Sequence, residues 1–347
     1  VSSVPTSLNA VSYGRIVQKT YVRRKMLIGA GQIARLAYDE EIDTEQAVAD
    51  GQAIAARWEI SGVRTGMVKA GDVGRQMIED YKTARSGKPQ DILRLPWRAA
   101  GHVKFKRGNF VVLGAARPGM GKSSMIIQTA HIFACQKYKV MLYPYEATPP
   151  EVMARIYSHR TGIAENRLTY DSHSGYDGSE FVKKVSYEEM LSNLTDDEFR
   201  RYEAAVNDTS DLPLEICEHS PTIQQLVSDV AKEYLTHGDK LVVMIDYLQL
   251  VRASGYRPDD EVGIVSEVSR QLKALAKNYG IWVFASAQLG RELEKRQNKR
   301  PTLPDLRWSG QIEQDADIVI SLYRDEYYTG QGLSDFNGII EAGVLKY

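Results

Sequence analysis

A glycine-rich turn followed by Lys and Ser constrains this chain more than any other feature. Residues 111–124 read VVLGAARPGMGKSS, and the pattern G-x-x-x-x-G-K-[ST] between a strand and a helix is typical of a phosphate-binding loop. Small residues let the chain turn tightly, so that backbone N–H groups and the helix N-terminus converge on phosphate oxygens. Because the apolar run NFVVLG precedes the turn and the helical pattern SSMIIQTAHIFA follows it, the sequence predicts a nucleotide site.

One position departs from the pattern, because Ala116 stands where the first glycine belongs. Alanine adds only a methyl group, so it is tolerated if its backbone φ is negative. Gly119 and Gly121 are predicted to supply the unusual torsions, Lys122 a charge for the β- and γ-phosphates, and Ser123 a hydroxyl for Mg²⁺. The predicted nucleotide loop comprises Ala116, Arg117, Pro118, Gly119, Met120, Gly121, Lys122, Ser123 and Ser124.

From about Leu93 onward, short apolar runs alternate with longer amphipathic stretches. The runs NFVVLGA, KVMLYPY, KLVVMIDYLQL, IWVFASAQ and ADIVISLY have the length and composition of strands buried on both faces. Helical patterns such as Glu261 to Tyr279 lie between them, which predicts an α/β domain with a parallel sheet. Residues 161–215 are polar and acidic and are interpreted as surface helices and loops. The terminal run GIIEAGVLKY is interpreted as a strand.

The first part of the chain has a different character. Apolar residues at helical spacing predict helices over residues 11–37, 44–58 and 67–85. One face of the third helix carries three apolar residues: Val73, Met77 and Tyr81. This helix cannot bury that face against itself, so we expect it to dock on another surface.

Composition excludes several classes of protein. The 43% hydrophobic and 26% charged residues are ordinary for a globular protein, and no apolar run approaches the roughly 20 residues that span a bilayer. Two cysteines and no secretory signal predict a cytoplasmic protein. The net charge of −1 argues against a uniformly basic surface, although it leaves room for a local basic patch.

The chain begins at Val1 and stops at Tyr347 within a predicted strand, so we expect a fragment or an incompletely ordered protein.

Three polar residues follow predicted strands. Asp246 ends a fully apolar run, where a carboxylate is costly unless it meets a cation or a hydrogen-bond donor. In a P-loop protein that partner is Mg²⁺. The alternative is that Asp246 only caps the end of the strand. Glu146 follows VMLYPY, where it either polarises an attacking water or is an ordinary surface residue. Gln288 ends WVFASAQ and either contacts a γ-phosphate or caps the strand.

In this order, ARPGMGKSS, the Glu, VVMIDYLQL, SEVSRQLKALAK, SAQLGRELEKR and DLRWSGQIEQDADIVISLYRDE resemble the DnaB-type replicative helicases. These are ring-forming, RecA-like motors that travel on single-stranded DNA, and their loop often contains Ala-Arg-Pro. The resemblance implies a RecA-like P-loop ATPase domain over residues 93–347. Before it would come the end of a helical N-terminal domain at 1–60 and a linker helix with a hinge at 61–92. The divergent motifs suggest a phage or plasmid origin.

The resemblance also implies individual roles. Lys122 and Ser123 would bind phosphate and Mg²⁺, Asp246 would be the Walker B acid, Glu146 the catalytic base, and Gln288 the γ-phosphate sensor coupled to DNA. Arg117 would belong to the loop without an assigned role.

Two further positions are implied near the end of the chain. Arg324 of LYRDE would contact the nucleotide. On the last strand the family places a Lys and then, one residue apart, the arginine that a neighbouring subunit inserts to stabilise transition-state charge. Lys346 fits the Lys as a trans-acting residue, and we expect the intact protein to continue beyond Tyr347 with the arginine.

A basic loop is predicted to contact DNA. Residues 291–307 hold six Lys or Arg against three acidic residues, which suits contact with a phosphate backbone. The loop after Asp246 is a second candidate. The predicted DNA-binding residues are Arg252, Arg291, Arg300, Arg307, Trp308, Ser309 and Gly310; Trp308 either stacks on a base or packs locally. The family usually has Arg-Glu-Ser-Gly at 307–310 and Ser-Leu-Glu-Met at 144–147, and this chain departs from both.

The sequence thus predicts an ATP- and Mg²⁺-dependent DNA helicase of the 5′–3′ class. Its expected partners are single-stranded DNA, five further copies of itself in a hexamer, a helicase loader and primase. A RecA-like recombination or repair ATPase is one alternative. A nucleotide-gated loader or adaptor without unwinding activity is the other.

Overall fold

A computed structural model describes residues 24, 27–39, 69–85, 93, 95, 103–168, 194–257, 259–306, 310–329, 336 and 338–347. Two compact units cover Val1–Gln76 and Met77–Tyr347. The predicted domain boundaries, after residues 60 and 92, stay predictions. In the described part of the chain, every helix is too short or too polar to span a bilayer.

The described part of the first unit is helical. Residues 27–38 form helix α1, which overlaps the predicted helix over 11–37, whereas the predicted helix over 44–58 lies outside the described residues. Helix α2 covers Ala70–Arg85, close to the predicted 67–85, and the boundary between the two units falls within its sequence. Its three apolar residues, Val73, Met77 and Tyr81, are all exposed.

The second unit is built on a seven-stranded sheet in the order β3-β2-β4-β5-β1-β6-β7. The strands are β1 (Phe110–Ala116), β2 (Lys139–Pro144), β3 (Leu214–Ile216), β4 (Leu241–Asp246), β5 (Trp282–Gln288), β6 (Ile318–Tyr323) and β7 (Glu341–Lys346). All neighbours are parallel except β6 and β7. The five apolar runs are therefore confirmed as strands, and so is the terminal strand, which joins the sheet antiparallel.

One prediction for this region was wrong. Residues 161–215, interpreted as helices and loops, include helix Asp196–Thr209 as expected, but they end in the first two residues of β3 at the edge of the sheet. This strand has only three residues, and none of them is fully buried. A short edge strand of this kind leaves no apolar run for the sequence to display.

Helices cover both faces of the sheet. They are α3 (Lys122–Cys135), α4 (Pro149–Thr161), α5 (Asp196–Thr209), α6 (Ile223–His237), α7 (Glu261–Tyr279), α8 (Gly310–Asp315) and α9 (Asp325–Thr329). Successive strand residues alternate between two clusters: Val242 packs with α3 and α4, and Val243 packs with α6 and α7. The predicted helix over 261–279 is confirmed, and Val265, Val268, Leu272 and Leu275 lie on its buried face.

Strand register positions the polar residues that follow the strands. Pro144 at the end of β2 lies opposite Asp246 at the end of β4. Ala116 at the end of β1 lies opposite Gln288 at the end of β5. Because parallel strands share one carboxyl edge, the loops after β1, β2, β4 and β5 all leave the sheet there, which is where open α/β sheets bind ligands.

The core predicts a strong effect of truncating Phe284. This ring is fully buried, with ring centroids 5.6 Å from Phe105 and 5.3 Å from Phe133. Phe284→Ala is expected to lower the free energy of unfolding by about 3–5 kcal/mol, because it removes apolar contacts and leaves a cavity. Urea denaturation measures this, and the exposed Phe199→Ala is the control, expected to cost about 0.5 kcal/mol. Equal losses from the two substitutions would contradict the assigned core.

Candidate active site

The predicted nucleotide loop joins β1 to α3. Gly119 and Gly121 have φ of +77° and +90°, the left-handed region that favours glycine. Among the described residues Lys137 is the only non-glycine with positive φ, so Ala116 meets the condition for an alanine at its position. Gly121 is the N-cap of α3 and offers no side chain to its first turn. The first-turn N–H groups are therefore available to an anion.

The loop is closely approached from outside. A Cβ atom on Gly119 would lie 3.3 Å from Tyr327 Cε2, and one on Gly121 would lie 3.3 Å from Ile340 Cδ1. A side chain at either position would crowd these neighbours, but the positive φ is the stronger requirement for glycine. Sequence reasoning missed Tyr327 and Ile340, although the aromatic run after LYRDE was a visible signal.

Lys122 is largely buried at the start of α3, with 8% of its surface exposed. Burial lowers its pKa, while the nearby carboxylates of Asp246 and Glu146 act in the opposite direction and the Arg117 guanidinium adds to the lowering. The Lys122 ammonium also lies 5.6 Å from the centre of the Tyr247 ring. Lys122, Asp246 and Glu146 therefore lie close enough to interact electrostatically, and their individual roles stay predictions.

Asp246 is 1% exposed at the end of β4. Its Oδ1 accepts a 2.6 Å hydrogen bond from the Ser286 hydroxyl, whereas its Oδ2 has no hydrogen-bond partner among the described residues. A buried carboxylate oxygen without a partner is costly, so this atom fits a site for a cation beside the loop.

The described residues do not form a complete metal cage. No three His, Cys, Asp or Glu side chains in the described ranges are grouped to hold a metal ion. Mg²⁺ usually takes one or two protein ligands and completes its shell with phosphate oxygens and water. Asp246 and Ser123, which lies in the first turn of α3, fit that incomplete set.

Glu146 is exposed in the short link between β2 and α4. The preceding residue anchors the link, because the Tyr145 amide donates to the Asp246 carbonyl at 2.8 Å and its hydroxyl donates to the Pro221 carbonyl at 2.8 Å. On the other side, the amide of Thr148 donates to Glu151 Oε2 at 2.6 Å. Glu146 is therefore held near the end of β4 although its sequence neighbours depart from the family pattern.

Gln288 is fixed through its backbone. Its amide donates to Gln249 Oε1 at 3.1 Å, and Gln249 Nε2 donates to its carbonyl at 3.0 Å. Sequence reasoning gave Gln249 no role, although it belongs to the distinctive IDYLQL string. The next amide, of Leu289, donates to the Ala116 carbonyl at 3.0 Å, so the end of β5 is tied to the start of the nucleotide loop.

Two predicted DNA-binding residues line one cavity beside Gln288. Arg252 and Arg291 line a cavity of about 400 Å³, together with Arg117, Gln249 and Gln288. Arg252 and Arg291 bring positive charge that suits an anion, although Glu261 also lines the cavity and the Arg117 guanidinium is paired with Glu294. We call it the arginine cavity. It lies between the loops after β4 and β5, which are the two loops predicted from the sequence to contact DNA.

The other predicted DNA-binding residues are not brought there. Arg300 pairs with Glu341 through hydrogen bonds of 2.9 and 2.7 Å, which raise its pKa, and its guanidinium lies 4.7 Å from the Tyr323 ring centre. Gly310 begins α8. Residues 307–309, which include Arg307, Trp308 and Ser309, lie outside the described residues.

Arg324 and Lys346 make contacts within the chain. Arg324 pairs with Glu326, while its buried Nε has no partner among the described residues. Lys346 donates to the carbonyls of Glu313 and Gln314, at 2.7 and 3.2 Å, at the end of α8. Their predicted roles toward nucleotide and toward a neighbouring subunit stay predictions.

Comparison with known proteins places the chain in a family. The family profile described as DnaB-like helicase C terminal domain matches residues 101–343. Replicative DNA helicase DnaC of Bacillus subtilis (strain 168) is 29% identical, over 99% of this chain and 72% of that protein. Replicative DNA helicase DnaB of Geobacillus stearothermophilus is 30% identical, over 99% of this chain and 71% of that protein.

Solved structures agree on the fold. One of them, the structure of an ATPase domain, has a TM-score of 0.66 and 26% identity, covering 80% of this chain and 92% of that one. A DnaB-like replicative helicase, whose structure is described together with its interactions with primase, has a TM-score of 0.70 and 24% identity, covering 99% of this chain and 75% of that one. With its RecA-like sheet and its phosphate loop, this chain belongs to the DnaB-like replicative DNA helicases.

Proposed function

We propose that this helicase binds and hydrolyses ATP with Mg²⁺ at the loop 116–124 and uses the energy to move along single-stranded DNA as a hexameric ring. One observation carries the nucleotide part: Asp246, buried beside Lys122, keeps one carboxylate oxygen without a hydrogen-bond partner among the described residues. A buried carboxylate at the edge of a glycine loop suits a site that is completed by a metal nucleotide.

The loop residues divide the binding task. The first-turn amides of α3 suit the phosphates through the helix N-terminus, and Lys122 adds a positive charge whose attraction for phosphate is stronger in this buried site than in water. Ser123 and Asp246 would hold Mg²⁺, which would neutralise charge on the β- and γ-phosphates when bound. Arg324, on the loop after β6, would contact the nucleotide on leaving Glu326.

Glu146 is proposed as the general base and Gln288 as the γ-phosphate sensor. Glu146 is exposed at the same edge as Lys122, which suits a carboxylate that accepts a proton from an attacking water. Gln288 ends β5 next to the cavity that Arg252 and Arg291 line, so it lies between the nucleotide loop and the proposed DNA surface.

Single-stranded DNA is the proposed polymer partner. Arg252 and Arg291 are the described residues best located for its phosphates, because they share one cavity. Arg300 would have to leave Glu341 to take part. Arg307, Trp308, Ser309 and Gly310 stay proposed on the sequence resemblance alone.

Ring assembly would complete the site. The apolar residues Val73, Met77 and Tyr81 of α2 are exposed, as expected of a linker helix that docks on a neighbouring subunit. Lys346 would act in trans at that neighbour's nucleotide. Primase is a proposed partner because a similar helicase is described with it, and a helicase loader and a cytoplasmic location follow from the family resemblance.

Replacement of the proposed base tests the hydrolytic role. Glu146→Gln is expected to lower the turnover number for ATP by about 10²–10⁴-fold, with nucleotide affinity retained, because only proton acceptance is lost. Steady-state ATPase assays and fluorescent-nucleotide titration measure the two quantities. Glu203→Gln, an exposed change on α5, is the control. Unchanged turnover in Glu146→Gln would favour a protein in which ATP only holds subunits together.

Salt dependence tests the DNA surface. Arg252→Ala and Arg291→Ala are each expected to reduce the slope of log affinity for an oligothymidylate against log salt by about 0.7, the value for one phosphate contact on a single strand. Fluorescence anisotropy at several salt concentrations measures the slope. Arg200→Ala, at an exposed residue of α5, should leave it unchanged. Slopes equal to that of the unsubstituted protein in both variants would remove these arginines from the DNA site.

A further inference from the structure

Arg117 makes contacts that its place in a phosphate loop does not require. Its Nη1 donates to the Leu289 carbonyl at 2.9 Å, and its Nε donates to Glu294 Oε1 at 2.8 Å. The Arg117 side chain is 9% exposed, and that of Glu294 is 40% exposed. The guanidinium therefore points away from solvent and toward the segment that follows β5.

These contacts connect the nucleotide loop to the segment that follows β5. The Leu289 amide donates to the Ala116 carbonyl, and the Leu289 carbonyl accepts from Arg117. Both polar groups of one peptide residue thus pair with the start of the nucleotide loop. Glu294 extends the contact into the short 3₁₀ helix Arg291–Lys295, whose first residue lines the arginine cavity.

The chemistry makes this connection stiff. An arginine stays charged at any physiological pH, so the largely buried Arg117 guanidinium keeps its attraction for the Glu294 carboxylate in every nucleotide state. The planar guanidinium donates in two fixed directions at once, toward the carbonyl and toward the carboxylate, which a lysine ammonium cannot reproduce. Displacement of the nucleotide loop must therefore displace the 3₁₀ helix, or break the pair.

We propose that Arg117 is a positioning residue which, through Glu294, transmits the state of the nucleotide loop to the segment Arg291–Lys295 and hence to bound DNA. The proposal rests on the proposed function and adds a second connection beside Gln288. Occupation of the arginine cavity by a DNA phosphate would act back on the loop through the same pair, because coupling between two sites is reciprocal.

The test is the stimulation of ATP hydrolysis by DNA. Intact protein carrying Glu294→Gln is compared with the unsubstituted protein and with Glu292→Gln, using an oligothymidylate at saturating concentration. Glu292 belongs to the same 3₁₀ helix and pairs with Lys295 in solvent, so its variant removes the same charge without touching Arg117. Saturating DNA separates loss of transmission from a change in affinity.

Glu294→Gln is expected to lower the ratio of DNA-stimulated to basal turnover by about fivefold or more, while basal turnover stays within about twofold. Glu292→Gln should keep the full ratio. Arg117→Lys should lower the ratio of DNA-stimulated to basal turnover as well. Adding Glu294→Gln to Arg117→Lys should lower it little further, because both changes break the same Arg117–Glu294 contact.

Two outcomes overturn the proposal, and they differ in what they imply for the proposed function. If the unsubstituted protein is stimulated by DNA and Glu294→Gln keeps the full ratio, Arg117 does not transmit and the proposed function stands. If DNA does not stimulate the unsubstituted protein at all, the proposed function fails together with the transmission that depends on it.

Discussion

The buried carboxylate of Asp246 is the constraint on which the rest of the site depends. Removing a charge from water costs several kcal/mol even after relaxation, and here the charge ends a strand in which every residue is buried. The Ser286 hydroxyl and the nearby Lys122 offset part of that cost, while one carboxylate oxygen is left for a ligand. A strand that served only stability would end on a residue without charge.

The parallel arrangement of the strands places the other predicted nucleotide-site residues at the same edge of the sheet as Asp246. Because β4 lies between β2 and β5, the ends of its neighbours bring Glu146 and Gln288 to the same edge. The next strand, β1, delivers the nucleotide loop. Each polar residue reaches this edge because it lies at the end of its strand or shortly after it.

The sequence predicted most of this arrangement for physical reasons that can be named. Fully buried strands are continuous apolar runs, and the periodicity of α7 is that of a helix with one buried face. The nucleotide loop could be predicted from Gly119, Gly121 and Lys122, because two flexible glycines just before a lysine are typical of a phosphate-binding loop. By contrast, the edge strand β3 is short and half-exposed, so it carried no signal.

Other contacts could not have been predicted from sequence, because they join residues far apart in the chain. Arg117 and Glu294 are 177 positions apart and meet only because β1 and β5 are neighbours in the sheet. Gln249 reaches Gln288 through the equivalent proximity of β4 and β5. Arg300 looked like one more cation of a DNA-binding loop, yet it pairs with Glu341, which pattern reasoning could not reveal.

Strand displacement from a forked DNA duplex by the intact protein, with ATP and Mg²⁺, is the most direct measurement of helicase function. We expect the unsubstituted protein to release the displaced strand, and Lys122→Ala to release none because the charge opposite the phosphates is lost. Absence of strand release by hexamers of the unsubstituted protein, or equal release by Lys122→Ala, would contradict an ATP-driven helicase built on this loop.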